Sequence, residues 1–198
     1  MVAGGRRRGI VAAMPKAIRI HRTGGPEVLT LDDVPAADPG PGEALVEHTA
    51  IGVNYIDTYH RSGLYPLPSL PHGIGVEAAG TVRAVGEGVT EVRPGDRVAY
   101  AAGPPGAYAE LRAIRAERLV PLPRDVDEAT AAAVLLQGMT VEALIHRTFK
   151  VEAGMTVLWH AAAGGVGLLA CQWLKSLGAR VIGTVSSDAK AELARGCG

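Results

Sequence analysis

The sequence has few cysteines, no excess of either charge and no long apolar run. Its two cysteines, Cys171 and Cys197, exclude a disulfide framework and a C-x-x-C metal pair, and they are typical of a reducing compartment. Twenty basic and twenty acidic residues cancel, so no global field favours nucleic acid or an anionic membrane as a partner. No run approaches the roughly 18 apolar residues of a membrane span. These absences predict a cytoplasmic protein.

The first thirteen residues differ from the rest. The cluster Arg6-Arg7-Arg8 precedes a short apolar stretch, which is about half as long as the h-region of a signal peptide. We therefore expect residues 1–13 to be a disordered extension. Met14 directly precedes the first patterned strand, so a start at Met14 is an alternative to a start at Met1. The chain of 198 residues, 47% of them hydrophobic, can bury a core in one large or two small domains.

From residue 16 to about residue 123, short β-like segments alternate with glycine and proline turns. Turn signals such as Gly24-Gly25-Pro26 and Arg93-Pro94-Gly95-Asp96 favour a compact β-barrel-like domain over residues 14–124. The predicted strands are 16–22, 28–34, 43–51, 77–85, 96–101 and 107–114. One short predicted helix, 55–61, interrupts them.

The pattern changes after residue 123. Helical composition predicts a linking segment, 125–150, with helices at 129–136 and 139–147 that are broken at Gly138. Residues 151–198 then predict a strand, a helix, a second strand at 180–185 and a helix at 188–195. A doubly wound domain has about six parallel strands. The predicted fold class is therefore α/β with a β-rich part: a β-barrel domain followed by an incomplete Rossmann domain.

The turn at 161–167 is the most informative motif. Reading G-x-G-x-x-G across it places Ala162, Gly164 and Gly167 at the three key positions, so the first glycine is replaced by alanine. The first N–H groups of a helix have no partner within the helix, and its dipole is positive there. Gly164, Gly165, Val166 and Gly167 can therefore bind a pyrophosphate. Such turns also join ordinary strands and helices, but the complete β-α-β context favours a dinucleotide site.

The end of the second strand indicates which dinucleotide is preferred. An NAD-specific site has an acidic residue there, which accepts hydrogen bonds from the ribose 2′-hydroxyl. This sequence instead has Ser186 and Ser187, and Lys190 follows in the next turn. Two hydroxyl donors and a cation favour the 2′-phosphate of NADPH. Asp188 disagrees with this pattern, and we interpret it as the N-cap of the last helix, pointing away from the site.

Several separate segments, together with the turn at 161–167, resemble one family. They are HRTGGPEVL at 21–29, GVNYIDTY at 52–59, RSGLYP at 61–66, GVEAAG at 75–80, GDRV at 95–98 and GMT at 138–140. They are similar to the zinc-free quinone oxidoreductases, or zeta-crystallin-like proteins, of the medium-chain dehydrogenase/reductase superfamily. The resemblance covers residues 15–198, the first part of a typical member. It implies a GroES-like catalytic domain, a Rossmann domain, a substrate cleft between them, a lysine at the phosphate like Lys190, and homodimers formed through an element beyond this sequence.

The resemblance makes zinc the first chemical question, because related alcohol dehydrogenases bind it. Those enzymes have a cysteine ligand near the position of Asn54 and a histidine ligand in a Gly-His-Glu motif, which here is Gly75-Val76-Glu77. Valine has no ligand atom and the amide of asparagine is a poor substitute for a thiolate. We therefore predict no metal, and we interpret the histidines as isolated surface or packed residues.

The resemblance further implies that Asn54 and Tyr59 lie near the nicotinamide end of the cofactor, with Thr140 close to it. Tyr59 could donate a hydrogen bond or proton to the developing oxyanion, and Asn54 could orient the cofactor or the substrate. The alternative is that Asn54 merely ends a strand and that Tyr59 fills a hydrophobic cleft. We do not predict catalytic roles for three further residues: Asp57 and Arg61, read as a solvated i,i+4 pair, and Glu77, read as structural.

The predicted function is an NADPH-dependent quinone reductase that transfers a hydride or electrons without a metal. A zinc-free NADPH-dependent reductase of α,β-unsaturated carbonyls would share the same cofactor residues. A third possibility is a catalytically silent nucleotide-binding or interaction protein, because two parallel strands leave an exposed sheet edge. Expected partners are a small-molecule quinone or enone, with no membrane and no nucleic acid.

Overall fold

A computed structural model describes residues 14–35 and 37–198, so the predicted extension 1–13 lies outside the described residues. Two compact units divide the chain, one up to Glu128 and one from Ala129. The domain limits expected from the sequence, 14–124, 125–150 and 151–198, stay a prediction.

The first unit consists of two antiparallel sheets and one helix. The strands are β1 (Lys16–Ile20), β2 (Leu29–Asp33), β3 (Glu43–Gly52), β4 (His72–Gly73), β5 (Glu77–Val85), β6 (Arg97–Ala101), β7 (Leu111–Arg115) and β8 (Val120–Pro121). One sheet has the order β2-β1-β4 and the other β7-β3-β5-β6-β8. Helix α1 spans Tyr55–Ser62 and follows β3 directly. Single 3₁₀ turns lie at Pro26–Val28 and Ala116–Arg118.

Alternation along the central strands builds the core of this unit. In β3, Ala44 and Val46 are fully buried, and they pack in one cluster with Ala78, Val82 and Tyr100 of the neighbouring strands. Because side chains alternate across a strand, the intervening residues lie on the other face of the sheet. In β5 and β6 both faces are covered, because Ala79 and Ala99, which alternate with these core residues, are also buried.

All six predicted strands are present, most of them within two residues at either end. The strand expected at 107–114 begins only at Leu111, because Ala107 and Tyr108 donate backbone hydrogen bonds to Gly75 and Ile74 outside the regular ladder. The strands β4 and β8, which the sequence does not predict, have two residues each. A pair of residues is too short for an alternating pattern to form.

Helix α2 spans Glu128–Glu142 without interruption, so the predicted break at Gly138 is wrong. A β-carbon built at Gly138 meets nothing within 4 Å, and strong helix formers flank the glycine, so its small intrinsic cost does not end the helix. A π-helical turn at Ala143–Thr148 follows. By length and composition alone the stretch Glu128–Thr148 could cross a membrane, contrary to the sequence expectation. One such helix is weak evidence, since core helices of soluble proteins pass the same test.

The second unit contains a parallel β-α-β arrangement. Strand β9 (Thr156–Trp159) pairs in parallel with β10 (Arg180–Gly183), and helix α3 (Gly165–Ser176) connects them. Helix α4 spans Asp188–Cys197. Gly178 follows the C-cap of α3 with a φ of +77°, a left-handed conformation that glycine adopts without steric cost. Helix α3 therefore ends before this glycine, and its apolar face packs in the core of this unit.

Candidate functional site

A tight turn joins β9 to α3, and its geometry depends on small residues. Gly164 is the N-cap of α3 and donates its N–H to the carbonyl of Ala161 over 2.8 Å. A β-carbon on Gly167 would lie 2.7 Å from the backbone of Ala162 and closer still to the carbonyl oxygen of Ala161. Any side chain at position 167 would therefore force the helix away from the strand. The third glycine of the motif has the packing role that the fingerprint assigns to it.

The neighbouring strand leaves space for alanine at the first position of the motif. Ala162 is fully buried, and its methyl carbon lies 2.6 Å from the place where Gly183 would carry a β-carbon. Gly183 is the last residue of β10. The methyl group of Ala162 thus occupies space that is free only because position 183 is glycine.

The residues expected to bind the 2′-phosphate lie together at the end of β10. The ammonium of Lys190 donates to the hydroxyl of Ser186 over 3.0 Å, and the hydroxyl of Ser187 accepts the N–H of Lys190 at 3.4 Å. Ser187 is the N-cap of α4, so the interpretation of Asp188 as the N-cap is wrong. Asp188 is the first residue of the helix, because the serine before it has the extended backbone and the accepting oxygen that a cap requires.

A cavity of about 330 Å³ joins the turn to these residues. Its lining consists of Ala161, Ala163, Gly164, Thr184, Val185, Ser186 and Lys190. A helix N-terminus, a hydroxyl and an exposed ammonium therefore border one concave space, which suits an anionic group. The residues present fit a phosphorylated dinucleotide. Gly165 and Val166, the next predicted residues, form the first turn of α3.

In the first unit, Asn54 begins helix α1. The alternative interpretation, that Asn54 merely ends a strand, is wrong, because strand β3 already ends at Gly52. Its backbone N–H donates to the carboxylate of Asp57 over 2.8 Å, and its side-chain amide donates to Glu77 over 2.6 Å. Asn54 is 8% exposed and Glu77 is fully buried. The amide is therefore held in one orientation by a buried carboxylate, and Glu77 has a structural partner.

The prediction that Asp57 and Arg61 form a solvated pair is wrong. Asp57 is buried and accepts a hydrogen bond of 2.8 Å from the hydroxyl of Tyr108. Arg61 donates instead to the carbonyl of Gly24 over 3.3 Å. Burial, together with the hydrogen bond to Asp57, raises the pKa of Tyr108 above its usual range. An acidic residue three positions after an N-cap asparagine is a capping pattern, and that signal could have identified Asp57.

Tyr59 lies in α1 within an aromatic group. Its ring packs edge-on against that of Tyr55, with 5.3 Å between centroids, and at a tilt against that of Tyr65, with 5.2 Å between centroids. Tyr59 itself is half-buried. Over residues 14–35 and 37–198 its hydroxyl makes no side-chain hydrogen bond, so this group can donate to a bound molecule.

Thr140 lies on the exposed side of α2, where its hydroxyl donates to the carbonyl of Leu136 over 2.8 Å. This hydrogen bond is internal to the helix. Thr140 and the turn at 161–167 both belong to the second unit. Asn54 and Tyr59 belong to the first unit. Among the described residues, no three His, Cys, Asp or Glu side chains form a group that could hold a metal ion.

Comparisons with known proteins agree with this architecture. The model of the alcohol dehydrogenase GroES-like domain matches residues 40–124. A quinone oxidoreductase of Pseudomonas aeruginosa is 57% identical over 182 residues, which cover 92% of this chain and 56% of that protein. A 2-haloacrylate reductase of a Burkholderia species is 46% identical over 191 residues, with coverage of 93% and 57%.

The solved structures give the same result. The crystal structure of the Escherichia coli quinone oxidoreductase complexed with NADPH is 50% identical, with a TM-score of 0.90, over 92% of this chain and 56% of that one. The predicted fold, a GroES-like domain followed by a partial Rossmann domain, is confirmed. This chain spans little more than half the length of the relatives that it matches. The chain is therefore homologous to quinone oxidoreductases of the medium-chain dehydrogenase/reductase superfamily, and it contains their GroES-like domain.

Proposed function

We propose that this chain binds NADPH in its second unit and reduces quinones without a metal. The observation that carries the proposal is the cavity between the turn and Lys190, where a helix N-terminus and an ammonium border the same space. The two features correspond to the two anionic parts of NADPH, the pyrophosphate and the 2′-phosphate. The proposed location is the cytoplasm and the proposed acceptor is a small molecule.

The proposal assigns separate tasks to the residues around the cavity. The backbone N–H groups of Gly165, Val166 and Gly167 bind the pyrophosphate, because they lie at the positive end of α3. Lys190 supplies the charge for the 2′-phosphate and Ser186 supplies a hydroxyl, and these two groups already form a hydrogen bond. Ser187 contributes less, because its hydroxyl caps α4.

Bound NADPH would supply a hydride, and reduction of a quinone to a hydroquinone consumes one further proton from the medium. Tyr59 is proposed to donate a hydrogen bond to the quinone oxygen that becomes negative. Asn54 is proposed to orient the reactants through an amide that Glu77 holds in place, and Thr140 is the third proposed contact near the nicotinamide. Val76 is buried and has no ligand atom, which supports a reaction without zinc. Stoichiometric zinc in the purified protein would contradict this part of the proposal.

The cofactor assignment is tested by the variant Lys190→Gln. We expect its affinity for NADPH to fall about tenfold or more, because one charge-assisted hydrogen bond is lost. Affinity for NADH, which lacks the 2′-phosphate, stays unchanged. Lys175→Gln is the matched control, since Lys175 lies exposed in the last turn of α3. NADH bound by the native chain as tightly as NADPH would refute the preference.

The substrate class is tested by turnover of a naphthoquinone beside an alkenal. We expect the quinone to be reduced faster. The similarity to a 2-haloacrylate reductase favours the second candidate, reduction of activated alkenes, and faster turnover of the alkenal would select it. Oxidation of NADPH by the 198-residue chain distinguishes both from a silent nucleotide-binding protein, which would bind NADPH without oxidising it.

A further inference from the structure

Thr184, the residue directly after β10, connects the two strand ends with the turn. Its N–H donates to the carbonyl of Trp159 over 2.9 Å, and its carbonyl accepts the N–H of Ala162 over 3.0 Å. Its hydroxyl oxygen lies 3.1 Å from Nδ1 of His160 and 3.4 Å from the N–H of Ala161. The side chain of Thr184 therefore contacts the two residues through which the chain enters the turn.

One of these two residues has an unfavourable backbone conformation. Ala161 has a φ of +54°, in the left-handed region that residues with a β-carbon rarely adopt. Such a conformation persists where neighbouring contacts hold it. The contacts at Ala161 are its N–H to the hydroxyl of Thr184 and its carbonyl to the N–H of Gly164.

The position of Ala161 determines where α3 begins. Its carbonyl oxygen is so close to Gly167 that no β-carbon fits there, and the same oxygen orients the N-cap Gly164. If Ala161 relaxed to a negative φ, its carbonyl would turn and both contacts would change. The N–H groups that are aimed at a pyrophosphate would then move.

We propose that the hydroxyl of Thr184 is a positioning group that holds the pyrophosphate turn in its binding conformation. The inference rests on the proposed function. It separates the site into two parts: Thr184 acts on the pyrophosphate through Ala161, whereas Lys190 acts on the 2′-phosphate. If Thr184 only stabilised the sheet, its replacement would weaken binding of the pyrophosphate and of the 2′-phosphate alike.

The test compares Thr184→Val, Thr184→Ser and the control Thr156→Val by calorimetric titration of the full 198-residue chain. Valine keeps the branched shape and removes the hydroxyl, and Thr156 is an exposed threonine at the far end of β9. The ligands are NADPH, ADP, which has a pyrophosphate and no 2′-phosphate, and adenosine 2′-monophosphate, which has the reverse. We expect Thr184→Val to lower the affinity for NADPH and for ADP about tenfold, which is the effect of losing one positioned hydrogen bond. The affinity for adenosine 2′-monophosphate should stay unchanged.

Further variants keep the inference falsifiable if valine at position 184 affects folding. Thr184→Ser retains the hydroxyl and should keep native affinity for all three ligands. Ala161→Gly added to Thr184→Val should recover part of the ADP affinity, because glycine adopts the left-handed conformation without support. Equal loss of all three ligands in Thr184→Val, or native ADP affinity, would overturn the inference while the proposed function stands. Failure of the native chain to bind NADPH would overturn the proposed function and the inference with it.

Discussion

The methyl group of Ala162 and the missing side chain of Gly183 are complementary at the residue scale. We expect Gly183→Ala to lower the free energy of unfolding by about 1–3 kcal/mol, the usual cost of overpacking, because its β-carbon would lie 2.6 Å from that of Ala162. Ala162→Gly in the same chain should restore part of the loss, since it removes the atom that clashes. Denaturant unfolding of both single variants and the double variant measures this coupling.

Gly196→Ala is the control for the glycine pair. A β-carbon at position 196 meets nothing within 4 Å, and the residue lies inside α4, so alanine there should be neutral or stabilising by up to about 1 kcal/mol. Additive effects of Gly183→Ala and Ala162→Gly would show that the two positions do not compete for the same space.

A chain of polar groups inside the first unit makes another residue-scale prediction. Arg112 donates to the hydroxyl of Tyr100 over 3.2 Å, that hydroxyl lies 3.0 Å from Nε2 of His48, and Nδ1 of His48 lies 2.6 Å from the carbonyl of Ala109. The geometry fits a neutral imidazole that donates from Nδ1 and accepts at Nε2. Burial lowers the pKa of His48 from 6.5 to about 4 and raises the pKa of Tyr100.

We expect this neutral histidine to make the first unit less stable in acid. Between pH 6.5 and about 4 the unfolded chain binds a proton that the folded chain does not, so stability falls as the pH falls. The contribution of His48 is complete above this range, is lost by its lower end, and amounts to about 3 kcal/mol at most. Unfolding measured across this pH range should have a shallower acid slope in His48→Gln.

His72→Gln is the matched control for the histidine in the same unit. Its imidazole bonds the carbonyl of Gly73 and lies outside the polar contacts of Arg112, Tyr100 and His48, so this variant shows what removal of an imidazole by itself does to the acid slope. If the stability of His48→Gln fell with pH as steeply as that of the native chain, the acid sensitivity could not be assigned to His48.

At the scale of elements, Ser187 begins α4 and Ser186 precedes it. We expect Ser187→Ala to reduce the free energy of unfolding by about 1 kcal/mol, because the hydroxyl that accepts the N–H of Lys190 is lost. Ser186→Ala is the control: its hydroxyl bonds only an exposed ammonium in the described structure, so stability changes little while NADPH affinity falls. Equal stability of the two variants would contradict the capping role of Ser187.

Local signals predicted most of the elements of this chain. Glycine and proline turns delimit β1, β3, β5 and β6, so the sequence places their ends within two residues. The helix break at Gly138 was predicted from the same signal and is absent, because a glycine with open space around it and helix formers on both sides lowers helix stability without ending the helix.

The candidate site was predictable where its contacts are local. The residues of the turn at Ala161–Gly167 are neighbours in the sequence, and Ser186 and Lys190 are four residues apart. In each case the sequence spacing alone predicts that the residues lie close together. The surroundings of Asn54 and Asp57 were not predictable in this way, because Glu77 and Tyr108 come from distant strands. The carboxylates of Asp57 and Glu77 are buried by tertiary packing, which the spacing of residues in the sequence does not predict.

At the scale of the whole molecule, each of the two units has its own buried cluster, and the aromatic residues are divided between them. All five tyrosines precede Glu128, and both tryptophans, Trp159 and Trp173, follow Ala129. Tryptophan fluorescence therefore reports on the second unit, and tyrosine absorbance reports on the first. The phosphate-binding part of the proposed NADPH site lies in the unit that carries the tryptophans.

This division makes nucleotide binding visible as a selective change in stability. A ligand present at about 100 times its dissociation constant stabilises the unit that binds it by about 2.7 kcal/mol. We expect NADPH to shift the unfolding transition seen by Trp159 and Trp173 to higher denaturant by more than it shifts the tyrosine transition. Lys190→Gln should reduce the shift at the same NADPH concentration, because it weakens binding without removing a chromophore. Equal shifts of both signals would show that the units unfold as one, and no shift in either would contradict nucleotide binding by this chain.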